Sequence, residues 1–265
     1  MTNYDVKKIT DIIKNGRLET IQLKIAKLWE VYTLENGSIL CVCNSHAFMG
    51  ETFLVFDDQL NLLKRYDTIS VNYNQFNPYI IALKNQKDVY LSTYDGRIVI
   101  TDLKFEVQKL FENHDFKSLK KSCTGGGFII ANNIRKIRFF NLDLILIHTI
   151  DFNFVVKQIE ASDHMVIVIG DRQTLFFSLS DNFKLVYKYR RSTPRCISVI
   201  NSNFFEISSV EQKIWCYDSL GTLIDEIELN SLDRALPITF EIRMFLINEI
   251  LFMYSPGSSS LIKFV

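Results

Sequence analysis

The chain repeats itself at a period near 40 residues, and the repeated unit contains only strand-like material. Five times an apolar run ends in a short polar residue and a second apolar run follows at once: FLVFDDQLNLL, IVITDLKFEVQ, IRFFNLDLILI, FFSLSDNFKLV and IWCYDSLGTLI. The polar position falls at Asp57, Asp102, Asn141, Ser180 and Asp218, at intervals of 45, 39, 39 and 38 residues. Four residues before it stand Phe53, Ile98, Ile137, Phe176 and Ile214; five residues after it stand Leu62, Val107, Leu146, Leu185 and Leu223. All ten are apolar, so both positions are expected to be buried in every unit. Short Asp, Asn and Ser side chains hydrogen-bond their own backbone and suit a tight turn. Each pair of runs therefore reads as a β-hairpin.

Two further strand candidates precede each hairpin: residues 79–83 and 87–93 in the second unit, 154–161 and 164–169 in the fourth, 195–200 and 203–209 in the fifth. Tyr94-Asp95-Gly96, Gly125-Gly126-Gly127 and Gly170-Asp171 supply turn chemistry between strands. Four strands per unit at this period define the blade of a β-propeller. Both chain ends supply partial units. The C-terminal SLIKFV aligns Phe264 with Phe56, Phe140 and Tyr217, and that unit stops after its third strand. Near the N-terminus Asn15-Gly16-Arg17-Leu18 matches Leu220-Gly221-Thr222-Leu223, which opens a fourth strand. The expectation is an all-β, six-bladed β-propeller of four-stranded antiparallel blades, one domain over 1–265, with residues 16–23 as the closing strand. Closure would remove the open sheet edges that recruit other chains. Residues 1–15 form an extension or cap, in which Val6, Ile9, Ile12 and Ile13 recur at helical spacing. A short amphipathic helix is expected there, lying on the sheets or reaching a partner.

The composition suits a packed domain. Hydrophobic residues make up 48% with 21 Phe, while 4 Pro and 10 Gly argue against disorder. No apolar run approaches the ~18 residues of a membrane span, and no charged-then-apolar leader opens the chain. Five cysteines, without paired spacing, fit a reducing compartment, so a cytoplasmic location is expected, with the nucleus as the alternative. Net charge is zero but unevenly placed. Residues 104–195 carry 15 basic and 9 acidic residues, whereas 196–265 carry 4 and 9. One basic and one acidic arc of this kind can orient a docking partner.

In a propeller the loops between blades and those between second and third strands share one face. Here the first kind brings Phe116, Lys117, Arg190, Arg191 and Arg195, and the second brings Tyr94, Arg135 and Arg172. Arginine pairs with carboxylate or phosphate bidentately, and aromatic rings stack on bases or anchor peptides. These residues are the candidate surface for a protein partner or for RNA. The alternative is that the arginines are spent on the nearby Asp151, Asp163, Asp171 and Asp181. A second candidate is the loop bearing Phe48 and Met49, suited to insertion into a partner groove.

Signals for chemistry are weak. Cys41, Cys43 and His46 have metal-like spacing, but strand alternation puts both cysteines on one face and no second ligand pair follows. Gly125-Gly126-Gly127 lacks the Gly-Lys-Ser/Thr of a phosphate loop. The four histidines (46, 114, 148 and 164) fall in different units without a Ser or Cys elbow, and His148, in an apolar run, is expected to be packed. No catalytic residues, metal site, cofactor or small-molecule substrate are expected.

The run Ile214-Trp215-Cys216-Tyr217-Asp218-Ser219-Leu220-Gly221 resembles the repeats of WD-repeat and NHL-repeat propellers, in which an apolar strand is followed by Asp and then Gly. The resemblance extends in degenerate form over nearly the whole chain. The Trp-Asp pair that names WD repeats is absent, and only the fifth unit keeps the Asp-to-Gly spacing. It implies a non-enzymatic scaffold working with other proteins in a complex. NHL-type propellers add the alternative of RNA binding on a basic face, here formed by the third to fifth units.

Overall fold

The computed structural model describes residues 4–23, 27–33, 38–44, 51–67, 79–84, 88–92, 97–102, 107–112, 121–190, 196–229 and 242–265. Helix α1 (Tyr4–Asn15) and strand β1 (Leu18–Gln22) open the chain. Five sheets of four consecutive antiparallel strands follow. Sheet I holds β2 (Lys27–Thr33), β3 (Ile39–Asn44), β4 (Glu51–Phe56) and β5 (Leu62–Asp67). Sheet II holds β6 (Tyr79–Lys84), β7 (Asp88–Ser92), β8 (Arg97–Asp102) and β9 (Val107–Glu112). Sheet III holds β10 (Lys121–Gly125), β11 (Phe128–Asn133), β12 (Lys136–Phe140) and β13 (Leu146–Asp151). Sheet IV holds β14 (Gln158–Ala161), β15 (Met165–Ile169), β16 (Gln173–Ser178) and β17 (Leu185–Arg190). Sheet V holds β18 (Cys196–Ile200), β19 (Asn203–Ser208), β20 (Lys213–Tyr217) and β21 (Leu223–Glu228). A further sheet, VI, is built from both ends of the chain: β22 (Arg243–Ile247), β23 (Ile250–Tyr254) and β24 (Ser260–Phe264), with β1 as its fourth strand.

The chain divides into two compact units. Met1–Asp67 with Arg191–Val265 carries sheets I, V and VI, and Thr68–Arg190 carries sheets II, III and IV. Within the first unit β22 packs on both β2 and β18; within the second β10 packs on both β6 and β14. First strands thus neighbour first strands, and each apolar core lies between two sheet faces. Sheet VI shows the consequence for the sequence. Met244, Leu251, Met253 and Phe264 pack toward sheet V, while Phe245, Phe252, Tyr254 and Leu261 pack toward sheet I. A strand covered on both faces loses the polar alternation of a half-exposed strand, and β15 (MVIVI) is buried at every residue.

Three hairpin turns share one hydrogen-bond pattern. The Oδ1 atoms of Asp57, Asn141 and Asp218 each accept backbone N–H groups two and four residues on, at 2.7–3.0 Å. The third residue after each is left-handed: Leu60 at φ 64°, Leu144 at 65° and Gly221 at 80°. Of these three turns only that of sheet V has glycine at this position. The leucines accept a conformation that costs an L-residue about 1–2 kcal/mol, and Leu144 recovers part of that by burial.

Two expectations need correction. In sheet IV the turn residue is Ser178, not Ser180. Phe177 pairs with Leu185, whereas Phe56, Phe140 and Tyr217 pair with Leu62, Leu146 and Leu223, so the fourth turn is two residues longer. Ser178 N–H bonds the Lys184 carbonyl, and its Oγ accepts from Asp181 N–H. Second, the position five residues after the turn is not buried. Leu62, Leu146, Leu185 and Leu223 are 54%, 37%, 44% and 48% exposed. They open the edge strand of their sheets. The position four residues before the turn is buried as expected at Phe53, Ile137 and Ile214; in sheet IV the corrected turn puts the buried Thr174 there, with Phe176 only two residues before it.

The expected N-terminal strand pairs as its alignment implies. Leu18 faces Phe264, just as Leu223 faces Tyr217. Helix α1 lies on β20 and β21 rather than extending away. Val6, Ile9 and Ile13 enter the core between sheets V and VI. Lys14 bonds Asp225 at 2.9 Å and Lys8 bonds Glu249 at 2.7 Å.

Candidate interaction surface

One end of sheets III and IV gathers three of the arginines singled out by sequence. Arg135 sits in the turn between β11 and β12, and Arg172 in the turn between β15 and β16. Arg190 ends β17, paired with Gln173 beside Arg172. The two turns are held side by side by one connecting segment. Val156 N–H bonds the Ile134 carbonyl at 2.8 Å, and the next residue, Lys157, bonds the Ile169 carbonyl at 2.7 Å. Phe152 N–H bonds the carbonyl of Arg135 itself at 2.8 Å. Gly170 allows the close approach on the other side, since a Cβ there would lie 2.4 Å from the ring of Phe154.

The charges at this end are distributed unequally. Asp151 bonds Lys136 at 3.0 Å, Asp171 bonds Lys157 at 2.9 Å, and Asp181 lies 3.7 Å from Lys184. The carboxylates expected as partners of the arginines are thus taken by lysines, and Asp163 forms no ion pair among the described residues. Arg135, Arg172 and Arg190 are exposed and form no ion pair among the described residues. Lys136 and Lys157 were not legible as the partners from residue type alone. The signal lay in register, because Lys136 and Asp151 face one another across β12 and β13.

No family model matches the chain, and no curated sequence matches it. Solved structures match in fold. The β-propeller domain of Cps50 (Swd1) from Myceliophteria thermophila is similar with a TM-score of 0.58 at 7% identity, over 93% of this chain and 98% of that one. BamB from Moraxella catarrhalis is similar at 0.51 and 12% identity, over 92% and 71%. KlHsv2 with its loop 6CD replaced by a Gly-Ser linker is similar at 0.54 and 13%, over 87% and 77%. The chain has the β-propeller fold. At these identities the likeness extends to fold alone, and function has to be argued from sites. Repeats as degenerate as these leave the architecture intact while escaping any family model.

The propeller's remaining candidates are distributed as follows. Tyr94, Phe116, Lys117, Arg191 and Arg195 lie outside the described residues, as do Phe48 and Met49 of the second candidate loop and the turn at 94–96. Cys41 and Cys43 share one buried face in the core between sheets I and VI. Burial first, and then the neighbouring Cys43, push the Cys41 thiol well above its ordinary value. Burial likewise pushes Cys216 up to about 12, against a hydrogen bond from Thr10 Oγ1 that acts the other way. Burial thus disfavours the thiolate form at both positions. His148 is half-buried and stacks on Phe183, with ring centroids 4.8 Å apart. Glu206 is a fully buried carboxylate whose Oε2 accepts a 2.9 Å hydrogen bond from Tyr217 Oη. Among the described residues no three His, Cys, Asp or Glu side chains converge as metal ligands, and no helix is long and apolar enough to cross a membrane.

Proposed function

We propose that this single-domain propeller has six blades, the sixth completed by β1, and works as a non-enzymatic protein–protein interaction scaffold within a larger intracellular assembly. The cytoplasm is the expected site of action, with the nucleus as the alternative. Sheet VI, assembled from both chain ends, supports the blade count. The observation that carries the functional reading is the end of sheets III and IV, where Arg135, Arg172 and Arg190 are exposed while the adjacent carboxylates bond lysines. A rigid scaffold that leaves guanidinium groups without intramolecular partners has bidentate donors to offer another molecule. The alternative reading is RNA binding by the same arginines together with Arg191 and Arg195, on a region whose net charge is positive.

Affinity capture of the tagged chain from its native cells, with and without nuclease, tests the reading. Protein partners that survive nuclease are the expected result. Partners lost on nuclease treatment would transfer the function to RNA, and the absence of any partner would overturn both.

A further inference from the structure

The arginine-bearing end of sheets III and IV has a charge pattern that discriminates between partners. We infer that it docks an acidic, extended segment of a partner protein, its carboxylates received by Arg135, Arg172 and Arg190. This rests on the scaffold reading and adds to it the surface and the partner's chemistry.

Three observations favour a spaced-carboxylate ligand over a nucleic acid. The first is interruption. Lys136, next to Arg135, bonds Asp151, and Asp171, next to Arg172, bonds Lys157; both carboxylates remain solvent-exposed. A phosphate backbone carries a charge on every nucleotide and would run over these aspartates. An extended peptide places successive side chains on alternate sides, so its carboxylates can meet the arginines while intervening residues pass the aspartates. The second is that the two turns bearing Arg135 and Arg172 (Ile134-Arg135 and Gly170-Asp171-Arg172) carry no aromatic ring. Sequence-tolerant binding of single strands uses exposed aromatic faces. The rings in the segment bracing these turns, Phe152 and Phe154, pack together at 4.9 Å and against the core between sheets III and IV. The third is apolar exposure beside the charge. Ile134, next to Arg135, is 46% exposed. An apolar contact flanked by arginine pairs suits a peptide containing both acidic and aliphatic residues.

The surface is also preorganised. The Arg135 and Arg172 turns are tied to adjacent residues of one segment, and Arg190 is fixed by its pairing opposite Gln173. Little backbone ordering would remain to be done on binding, which favours recognition by a modest number of contacts.

The test uses the full chain and a fluorescein-labelled peptide of alternating Glu and Leu. The same peptide with Gln for Glu and an oligouridylate of equal charge serve as comparators. The variant is the triple substitution Arg135→Ala, Arg172→Ala and Arg190→Ala; all three side chains are exposed, and its folding is checked by thermal denaturation. The control is Lys263→Ala, in sheet VI. The expected result is that the Glu-Leu peptide binds and the triple variant weakens it roughly tenfold. Added salt should also weaken it, and the Gln peptide and Lys263→Ala should show no corresponding effects. Equal binding of the Glu-Leu peptide by the triple variant, or no binding of it by the wild type, would overturn the inference. Tighter binding of the oligouridylate, lost in the triple variant, would overturn it in favour of RNA. Repeating the cell capture with the triple variant separates the two levels. A nuclease-resistant partner retained by the variant leaves the scaffold reading standing and removes this surface. A chain that captures nothing fails at both.

Discussion

The seam between sheets III and IV and the seam between sheets V and VI occupy equivalent places in the repeat, yet they are filled by different means. Two residues before the hairpin turn, sheet III has Phe139 paired across the ladder with His148, and sheet V has Cys216 paired with Asp225. Beside Phe139 the space is closed by aromatic rings. Phe183, from the turn of sheet IV, lies 4.3 Å from Phe139, 4.8 Å from His148 and 5.3 Å from Phe128, centroid to centroid. Beside Cys216 the side chain is small, and helix α1 occupies the space, with Thr10 Oγ1 at 3.8 Å from the sulfur. The two extra residues in the sheet IV turn thus have a packing role, since that turn carries Phe183 into the seam at a left-handed φ of 58°. The difference teaches that one repeat position sets how a seam is closed: a large ring recruits a neighbouring turn, whereas a small thiol leaves room for a separate element.

The strongest way to break the aromatic seam is Phe183→Ala. It removes a buried ring with three aromatic neighbours and should cost about 3–5 kcal/mol in chemical denaturation. A loss below 1 kcal/mol would mean that the rings contribute little beyond what their neighbours provide. Converting the other seam to the first type is the next test. Cys216→Phe overpacks the space held by α1, with an expected loss of about 1–3 kcal/mol and faster proteolysis between α1 and β1. Unchanged protection of that junction would show that the seam can absorb a ring without releasing the helix.

Asn141→Ala and Asp218→Ala compare the turns rather than the seams. Each removes an acceptor for two backbone N–H groups, and each should cost about 0.5–1.5 kcal/mol. Equal losses would confirm that the turn is common to both regions and that only the filling differs. Deleting residues 1–15 should make Cys216 reactive toward thiol reagents, because burial is what holds its thiol near 12. Cys41, in the seam between sheets I and VI, should remain unreactive in the same sample.

The smallest expected effect concerns pH. Hydrogen bonds from the Asn61 side chain, then from the Asn61 and Gln59 backbone, hold the Asp57 carboxyl below its ordinary value. A depressed carboxyl pKa adds stability that is complete above the unfolded value and is lost as pH falls through the folded value. Acidification through that range should loosen the sheet I turn in the wild type but not in Asp57→Asn, which adopts the neutral acceptor that Asn141 already provides in sheet III. An unchanged acid dependence in Asp57→Asn would assign it to other groups.

Most hairpin registers, the pairing of β1 with β24 and the helix were legible because each rests on local periodicity and a turn residue. The sheet IV turn was misplaced because Ser178, Ser180 and Asp181 all offer turn chemistry within four residues, and only strand pairing selects Ser178. Burial of Leu62 and its counterparts was misjudged because apolar character in a strand does not report the strand's distance from the centre of its sheet. Arg135 and Arg172 fall in turns between second and third strands, as their loop positions imply, whereas Arg190, expected in a loop between units, ends β17. The partners of the nearby aspartates depended on cross-strand register and side-chain reach, which residue type does not encode.

Leu18 pairs with Phe264, and that single ladder sets a timetable for the newborn protein. β1 is made about 240 residues before its sheet partner β24, so during synthesis it waits on the order of tens of seconds. Through that interval the apolar face of α1 also lacks the sheets it covers, and both are available to chaperones or to another chain. Contacts that span almost the full sequence are the slowest to form. Docking of β1 is therefore expected to be the last step in building sheet VI.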